Sequence, residues 1–276
     1  MLRIAIAGAS GRMGRMLIEA VNSAPDLTLS GALDIASSPV VGTDPLAGVG
    51  GQSGVRITAD LHEGLQTADV LIDFTRPAAT LAHLAACGRS GTRMVIGTTG
   101  FTETERATIQ AASRELAIVL SPNMSIGVNV AMKLIAQAAA ALADSCDIEI
   151  VESHHRHKVD APSGTALKMG EVVAAAQGRR LADIEVHARH GHTGPRTPGT
   201  VGFSAIRGGD VVGDHTVMFL GTGERIEITH RSTSRANYAQ GSLRAARFLA
   251  GRDCGLYDMD DVLGLRQALF SAAPTA

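Results

Sequence analysis

The chain opens on an apolar run, Leu2-Arg3-Ile4-Ala5-Ile6-Ala7, that leads into Gly8 and reads as a buried strand. Beyond the following glycines, Met16, Leu17 and Val21 fall on one face of a helical pattern, and Leu27 to Leu33 forms a second strand ending at Asp34. The same grammar repeats. Val70-Leu71-Ile72-Asp73-Phe74 predicts a strand, Pro77 opens a helix to Arg89, Met94-Val95-Ile96 predicts a strand, Thr102 to Glu115 a helix, and Ala117 to Leu120 another strand. Strands alternating with helices in this way predict a parallel, doubly wound α/β sheet of the Rossmann kind. Pro39 to Gly54, rich in glycine and without an apolar period, reads as a surface loop inside that domain.

The pattern breaks at Ser121-Pro122-Asn123-Met124-Ser125-Ile126-Gly127, after which an Ala-rich helix is expected from Val128 to Ala143. Beyond it strands succeed one another, at Ile148 to Val151, Ile184 to Ala188, Val201 to Ile206, His215 to Leu220 and Arg225 to His230, with one helix after Ser163. Such a run predicts a separate α+β domain built on an open mixed sheet. From Arg235 the chain returns to a helix carrying Leu243, Ala246, Phe248 and Leu249, then Gly255 to Leu265, and this tail is expected to fold back onto the first domain. The expected division is therefore residues 1–125 with 236–276 as one domain and 126–235 as the other. Ser125-Ile126-Gly127 at the crossover is expected to act as a hinge.

Composition narrows the function. The 25 basic and 27 acidic side chains give a net charge of −2 without clustering, which excludes the basic footprint that nucleic-acid phosphates require. The apolar runs fall short of the roughly 18 residues a membrane span needs, and glycines rather than a cleavage site follow the first one. Cys87, Cys146 and Cys254 lack C-x-x-C spacing, so neither a disulfide framework nor a zinc ribbon is indicated, and a reducing cytoplasm is expected. The basic residues include only three lysines, Lys133, Lys158 and Lys168, and arginine cannot release its proton as an acid. One of the three sits in His154-His155-Arg156-His157-Lys158.

Gly8, Gly11 and Gly14 form G-x-x-G-x-x-G between a strand and a helix, where a Cβ would obstruct both the bend and the approach of a pyrophosphate to the opening amides. Asp34 follows about 20 residues later, at the end of the second strand, where a carboxylate can accept from a ribose 2′-hydroxyl. A 2′-phosphate would be repelled by Asp34 and finds no cation in the next residue, Ile35, so NADH is expected to be preferred or at least well used, with NADPH as the alternative through Arg12, Arg15 or Arg76. Gly97-Thr98-Thr99-Gly100 ends a parallel strand at the edge where ligands bind, which points to nicotinamide contact. Arg76 is open to two readings, a cofactor contact or an exposed ion pair. His187, His190 and His192, among glycines and Pro195, read as loop or interface histidines.

Glu152 to Thr165 fits two chemistries. Metal binding needs three or four convergent ligands, and these histidines stand too close together to form one cage unaided, so no metal is expected. Anion binding with proton transfer is the other: Ser163 can cap a helix whose Gly164 and Thr165 amides point outward, making a carboxylate receptor that a small dianionic substrate would suit. An imidazole and a lysine beside that receptor are natural acids, and a lysine among positive neighbours has its charged form disfavoured.

Gly8-Ala9-Ser10-Gly11-Arg12-Met13-Gly14, Gly97-Thr98-Thr99-Gly100, Ser121-Pro122-Asn123-Met124-Ser125 and the whole of Glu152 to Ala166 resemble the corresponding strings of the 4-hydroxy-tetrahydrodipicolinate reductase family, also called dihydrodipicolinate reductase. The resemblance runs from residue 2 to Leu265. It implies NAD(P)H-dependent reduction of a cyclic dicarboxylate with loss of water, in diaminopimelate and lysine biosynthesis, by a homotetramer. It implies cofactor contacts at Gly8, Ala9, Ser10, Gly11, Arg12, Met13, Asp34, Gly97, Thr98, Thr99, Ser121, Pro122, Asn123 and Met124. It further implies an acid/base histidine at His154, a proton-donating lysine at Lys158, and substrate-carboxylate contacts at His155, Gly164 and Thr165. The family often has a basic residue after the acidic ribose ligand, and Ile35 departs from that.

Overall fold

The computed structural model describes residues 1–142, 145–187 and 189–266; the expected element ends at Ala143 and Ala188 and the tail 267–276 lie outside the described residues. The chain divides into two compact units, Met1–Ile126 with Ala236–Ala276, and Gly127–Arg235.

The first unit runs β1 (Leu2–Ala7), α1 (Arg12–Asn22), β2 (Leu27–Leu33), β3 (Ile57–Thr58), α2 (Leu61–Leu65), β4 (Val70–Asp73), α3 (Pro77–Ser90), β5 (Arg93–Ile96), α4 (Glu103–Ala112) and β6 (Ala117–Leu120). The second runs through α5 (Ile126–Leu142), β7 (Asp147–His154), α6 (Gly164–Ala176), β8 (Glu185–Val186), β9 (Val201–Arg207), β10 (Gly213–Leu220) and β11 (Arg225–Ser232). The chain then returns to the first unit with α7 (Ala236–Leu249), β12 (Gly255–Tyr257) and α8 (Met259–Leu263).

The first sheet has the order β12-β6-β5-β4-β1-β2-β3 with every pair parallel. Its central strands bury Ile4, Ile6, Val70, Ile72 and Val95 completely, each side chain contributing about 1.5–3 kcal/mol on removal from water. Burial on both faces is why these strands read as apolar runs rather than alternations. One face packs on α1 and α7 through Leu17, Val21, Leu243 and Leu249, and the other on α3 and α4 through Leu84 and Ile109. The strand order reverses between β1 and β4, which opens the crevice where α/β sheets bind ligands.

The second sheet, β11-β10-β7-β9-β8, is mixed: β10 pairs antiparallel with β7 and β11, while β9 pairs parallel with β7 and β8. Helices α5 and α6 cover one face, with Ile135, Met169 and Val173 against Ile148, Ile150, Val217 and Phe219. The opposite face carries the half-exposed Val151, Met218 and Leu220 and the exposed Ile206.

Several boundaries differ from the sequence reading. Helix α1 already begins at Arg12, because Gly11 serves as its N-cap. Strand β7 continues three residues beyond the expected Val151, to His154. The expected hinge is not loop throughout, since Ile126 and Gly127 form the first turn of α5. The two-residue β3 and the three-residue β12 have too few side chains to show a period, and sequence patterning misses both.

Candidate active site

In the first unit the glycine turn is shaped by close approach. Gly8 adopts φ +70°, and a Cβ on Gly14 would lie 2.1 Å from the Gly8 carbonyl oxygen, so helix and strand meet backbone to backbone. A cavity of about 840 Å³ lies beside this turn, lined among others by Gly8, Ser10, Arg12, Asp34, Ile35 and Arg76. Asp34 Oδ2 accepts from the Ser10 amide at 2.7 Å, and Oδ1 from the Ile35 amide at 2.8 Å. The carboxylate is thereby locked at the cavity wall with lone pairs to spare for a hydroxyl donor. Ile35 is 67% exposed. Arg76, whose sequence reading was open, lines this cavity and makes no ion pair among the described residues. Ala9 belongs to the same turn, its amide donating to Leu33 O, and Met13 lies in the first turn of α1.

Beneath the cavity lies a polar network. Asp73, fully buried at the end of β4, takes Thr75 N, Thr75 Oγ1 and Thr98 Oγ1 on Oδ1 and His83 Nδ1 on Oδ2. The Thr98 hydroxyl is thus committed to the sheet edge. Gly97 also has an internal reason to be glycine, since a Cβ would lie 2.2 Å from the Phe74 ring, and its amide donates to Asp73 O. That amide is thus engaged within the sheet edge. Nearby, burial and then Asp73 push the Cys87 thiol up to about 12, leaving it inert. Ser121 hydrogen bonds across its own turn to Asn123, and Met124 is buried against α7, where its carbonyl would lie 1.7 Å from a Cβ on Gly241.

In the second unit the strand period delivers the chemistry. Ile148, Ile150, Glu152 and His154 alternate onto the helix-covered face of β7, two apolar anchors followed by two ionisable groups. Register puts His215 of β10 opposite Glu152, and Arg207 of β9 opposite His154. Glu152 is 1% exposed and meets four donors: Arg207 Nη1 at 2.7 Å and His154 Nδ1 at 2.6 Å on Oε2, Arg207 Nη2 at 2.7 Å and the Ser163 amide at 3.0 Å on Oε1. Burial alone would raise this carboxyl, but the Arg207 and His154 hydrogen bonds hold it below the usual carboxylate range. Gly213 leaves room for the His154 ring, since a Cβ there would stand 2.9 Å from Nε2.

His215 packs edge-on to His154 with centroids 5.1 Å apart, and its Nε2 meets Ser163 Oγ at 2.9 Å. Burial first, and then His154, lowers its pKa to about 4, so this ring is neutral. Ser163 Oγ also caps α6 by accepting from the Ala166 amide, while the Gly164 and Thr165 amides have no acceptor among the described residues. His155 Nδ1 is buried and unpartnered. Lys158 corrects the sequence reading: its Nζ binds both oxygens of Asp160, at 2.8 and 2.9 Å, so its near neighbour is a carboxylate rather than further cations. That contact holds the Asp160 carboxyl low. His187 stacks on Phe203 and pairs with Glu185, and Lys168 pairs with Glu171.

Sequence reasoning singled out neither Glu152, Arg207 nor His215. Glu152 was within reach of pattern, two residues before His154 on an alternating strand. Arg207 and His215 carried no local signal, since they arrive 55 and 52 residues away from the groups they touch.

Comparison with known proteins agrees on both units. A family model described as the N-terminus of dihydrodipicolinate reductase matches residues 2–124, and one described as its C-terminus matches residues 127–263. The chain is 64% identical over 265 residues to 4-hydroxy-tetrahydrodipicolinate reductase of Burkholderia pseudomallei (strain 668), covering 96% of this chain and 100% of that one. It is 62% identical over 265 residues to the reductase of the same description from Herminiimonas arsenicoxydans, covering 96% and 99%. Among solved structures it is similar to dipicolinate-bound dihydrodipicolinate reductase from Paenisporosarcina sp. TG-14, with a TM-score of 0.76 and 26% identity over 94% of this chain and 97% of that one.

Proposed function

Because the chain belongs to the dihydrodipicolinate reductase family, we propose that it reduces 4-hydroxy-tetrahydrodipicolinate to tetrahydrodipicolinate in diaminopimelate and lysine biosynthesis, consuming NAD(P)H and a proton and releasing water. The observation that carries the reading is His154, held through Nδ1 by a buried carboxylate, with the unshared amides of Gly164 and Thr165 at the helix start that the same carboxylate touches.

The glycine turn and its cavity fit a dinucleotide: the Gly8–Gly14 approach would not tolerate a Cβ, and Asp34 is a fixed acceptor for ribose hydroxyls. Gly8, Ala9, Ser10, Gly11, Arg12, Met13 and Asp34 would hold its adenosine and pyrophosphate, and Gly97, Thr98, Thr99, Ser121, Pro122, Asn123 and Met124 its nicotinamide end. Bound there, the reduced nicotinamide supplies a hydride for C4 of the substrate ring. NADH is preferred or well used, supported by Ile35, which exposes an apolar side chain where a 2′-phosphate would want a cation; Arg12 and Arg76 at the same cavity leave NADPH as the alternative.

The remaining work falls to side chains of the second unit. The Gly164 and Thr165 amides bind one substrate carboxylate at the N-terminus of α6, where the helix dipole favours negative charge. His155 contributes a further donor. His154 Nε2 and Lys158 Nζ deliver the proton that balances the hydride, and Lys158 must leave Asp160 to do so. A homotetramer is supported by the open face of the second sheet, with Ile206, Val151, Met218 and Leu220. A cytoplasmic site is supported by three thiols outside any disulfide.

One assay tests the reading. NADH oxidation should depend on the hydroxylated dicarboxylate, with catalytic efficiency for NADH at least equal to that for NADPH. His154→Gln and Lys158→Met should fold, bind NADH and each lose about 10²–10⁴-fold in kcat. Near wild-type rates in both variants would refute the site, and a large NADPH advantage would refute the Ile35 argument.

A further inference from the structure

We propose that Glu152, clamped by Arg207, is a positioning residue that fixes which nitrogen of His154 handles the transferred proton and ties that imidazole to the start of α6. The inference rests on the reading of His154 as the acid/base group.

A carboxylate only accepts hydrogen bonds, so the Nδ1 that faces Glu152 Oε2 at 2.6 Å must carry the ring's proton in the neutral state. Nε2, which has no partner among the described residues, is then the nitrogen that gains and loses a proton. The other bonds of Glu152 prevent it from turning away. Its two oxygens fill the Arg207 fork at 2.7 Å each, a planar match that sets the carboxylate plane. Its remaining lone pair takes the Ser163 amide at 3.0 Å, immediately before Gly164 and Thr165. One buried side chain thus sets both the ring that moves a proton and the helix start that receives an anion.

Arg207 extends the chain in the other direction. Its Nη2 also donates to Asp160 O at 2.6 Å, and the Asp160 carboxylate holds Lys158 Nζ. Both proton-handling groups therefore hang from the Arg207 guanidinium, one through Glu152 and one through the Asp160 backbone. A fold-stabilising ion pair would need only Arg207 and Glu152, and such buried pairs are weak sources of stability. Engagement of His154 and the Ser163 amide by the same two oxygens goes beyond that need. The charged or titratable groups that face His154 are Glu152 on its own strand, Arg207 of β9 and His215 of β10; Lys158 and His230 of β11 act on His215.

Glu152→Gln keeps the shape but presents one amide donor to a shell of donors, so either Arg207, His154 or Ser163 N loses its acceptor. The expected result is a fall in kcat of about 10- to 100-fold, smaller than removal of His154, with NADH binding unchanged. The pH–rate profile should change shape, because the carboxylate that fixes the ring's tautomer and orientation has gone. A wild-type measurement decides the matter even if that variant fails to fold. Nitrogen chemical shifts of ¹⁵N-histidine-labelled enzyme, with His154→Gln identifying the signal, should show the neutral ring protonated at Nδ1. A ring protonated at Nε2, or a folded Glu152→Gln enzyme with the wild-type pH profile and rate, overturns the positioning role. Retained turnover in His154→Gln instead removes the acid/base reading itself, so the two failures are distinguishable.

Discussion

His215 shows how much one buried side chain contributes to pH behaviour. Its neighbours on β10, Val217 and Phe219, are core residues of the same face, yet register sets it opposite Glu152, with its ring against His154. Burial lowers its pKa from 6.5 to about 4. The folded state therefore prefers the neutral ring, while the unfolded chain takes up a proton below about pH 6.5. Stability contributed by the neutral ring is complete above pH 6.5, declines as pH falls toward 4, and is gone below it. The full interval corresponds to about 3 kcal/mol. His230 is shifted in the same direction, by burial, and adds to the slope. In His215→Gln, denaturant unfolding followed from pH 7 to pH 4 should show an acid slope shallower than wild type by an amount of that order. Parallel curves would mean that the ring is already protonated or solvated in the folded enzyme.

At the scale of elements, the first turn illustrates a contact that defines both packing and ligand access. Helix α1 starts on Gly11 and passes so near β1 that the Gly14 Cα faces the Gly8 carbonyl. Gly14→Ala inserts a methyl group 2.1 Å from that oxygen, and backbone cannot rotate aside as a side chain can. The helix must shift, at a cost of about 1–3 kcal/mol. Thermal denaturation should show the loss, and NADH titration should show weakened binding because the Arg12 and Met13 amides move with the helix. Unchanged NADH affinity would indicate that the turn only packs. Here pattern and chemistry coincide, and sequence reading serves well. On β7 they also coincide, but only once the strand is extended to His154, as the alternation Ile148, Ile150, Glu152 allows.

At the scale of the whole molecule, the second sheet has α5 and α6 on one face, and the opposite face meets no helix of its own unit among the described residues. That face carries Val151, Met218, Leu220 and Ile206 among polar and charged residues, with Glu149 held by Arg189 and Arg196, and apolar side chains inside such a polar rim are typical of an interaction surface. Val151 lies on it, opposite Thr216 and Ser204. On the tetramer reading, Val151→Arg should reduce the sedimenting mass to dimer or monomer while circular dichroism stays unchanged. A variant that still sediments as wild type would exclude this face as the interface.

The chain's sequence by itself determined the parallel sheet, the glycine turn, Asp34 at the strand end, and the dense Glu152 to Thr165 string. These are local: each is written in spacing over a few residues, through strand or helix period and the steric demand of a turn. The mixed second sheet was legible as a class for the same reason. Tertiary structure alone decided which charges neutralise which. It replaced the expected cationic surroundings of Lys158 with Asp160, committed the Thr98 hydroxyl to Asp73, and brought Arg207 and His215 from distant strands to Glu152. Electrostatic environment depends on distances of a few ångströms through space, and those are set by strand register, which no stretch of sequence contains on its own.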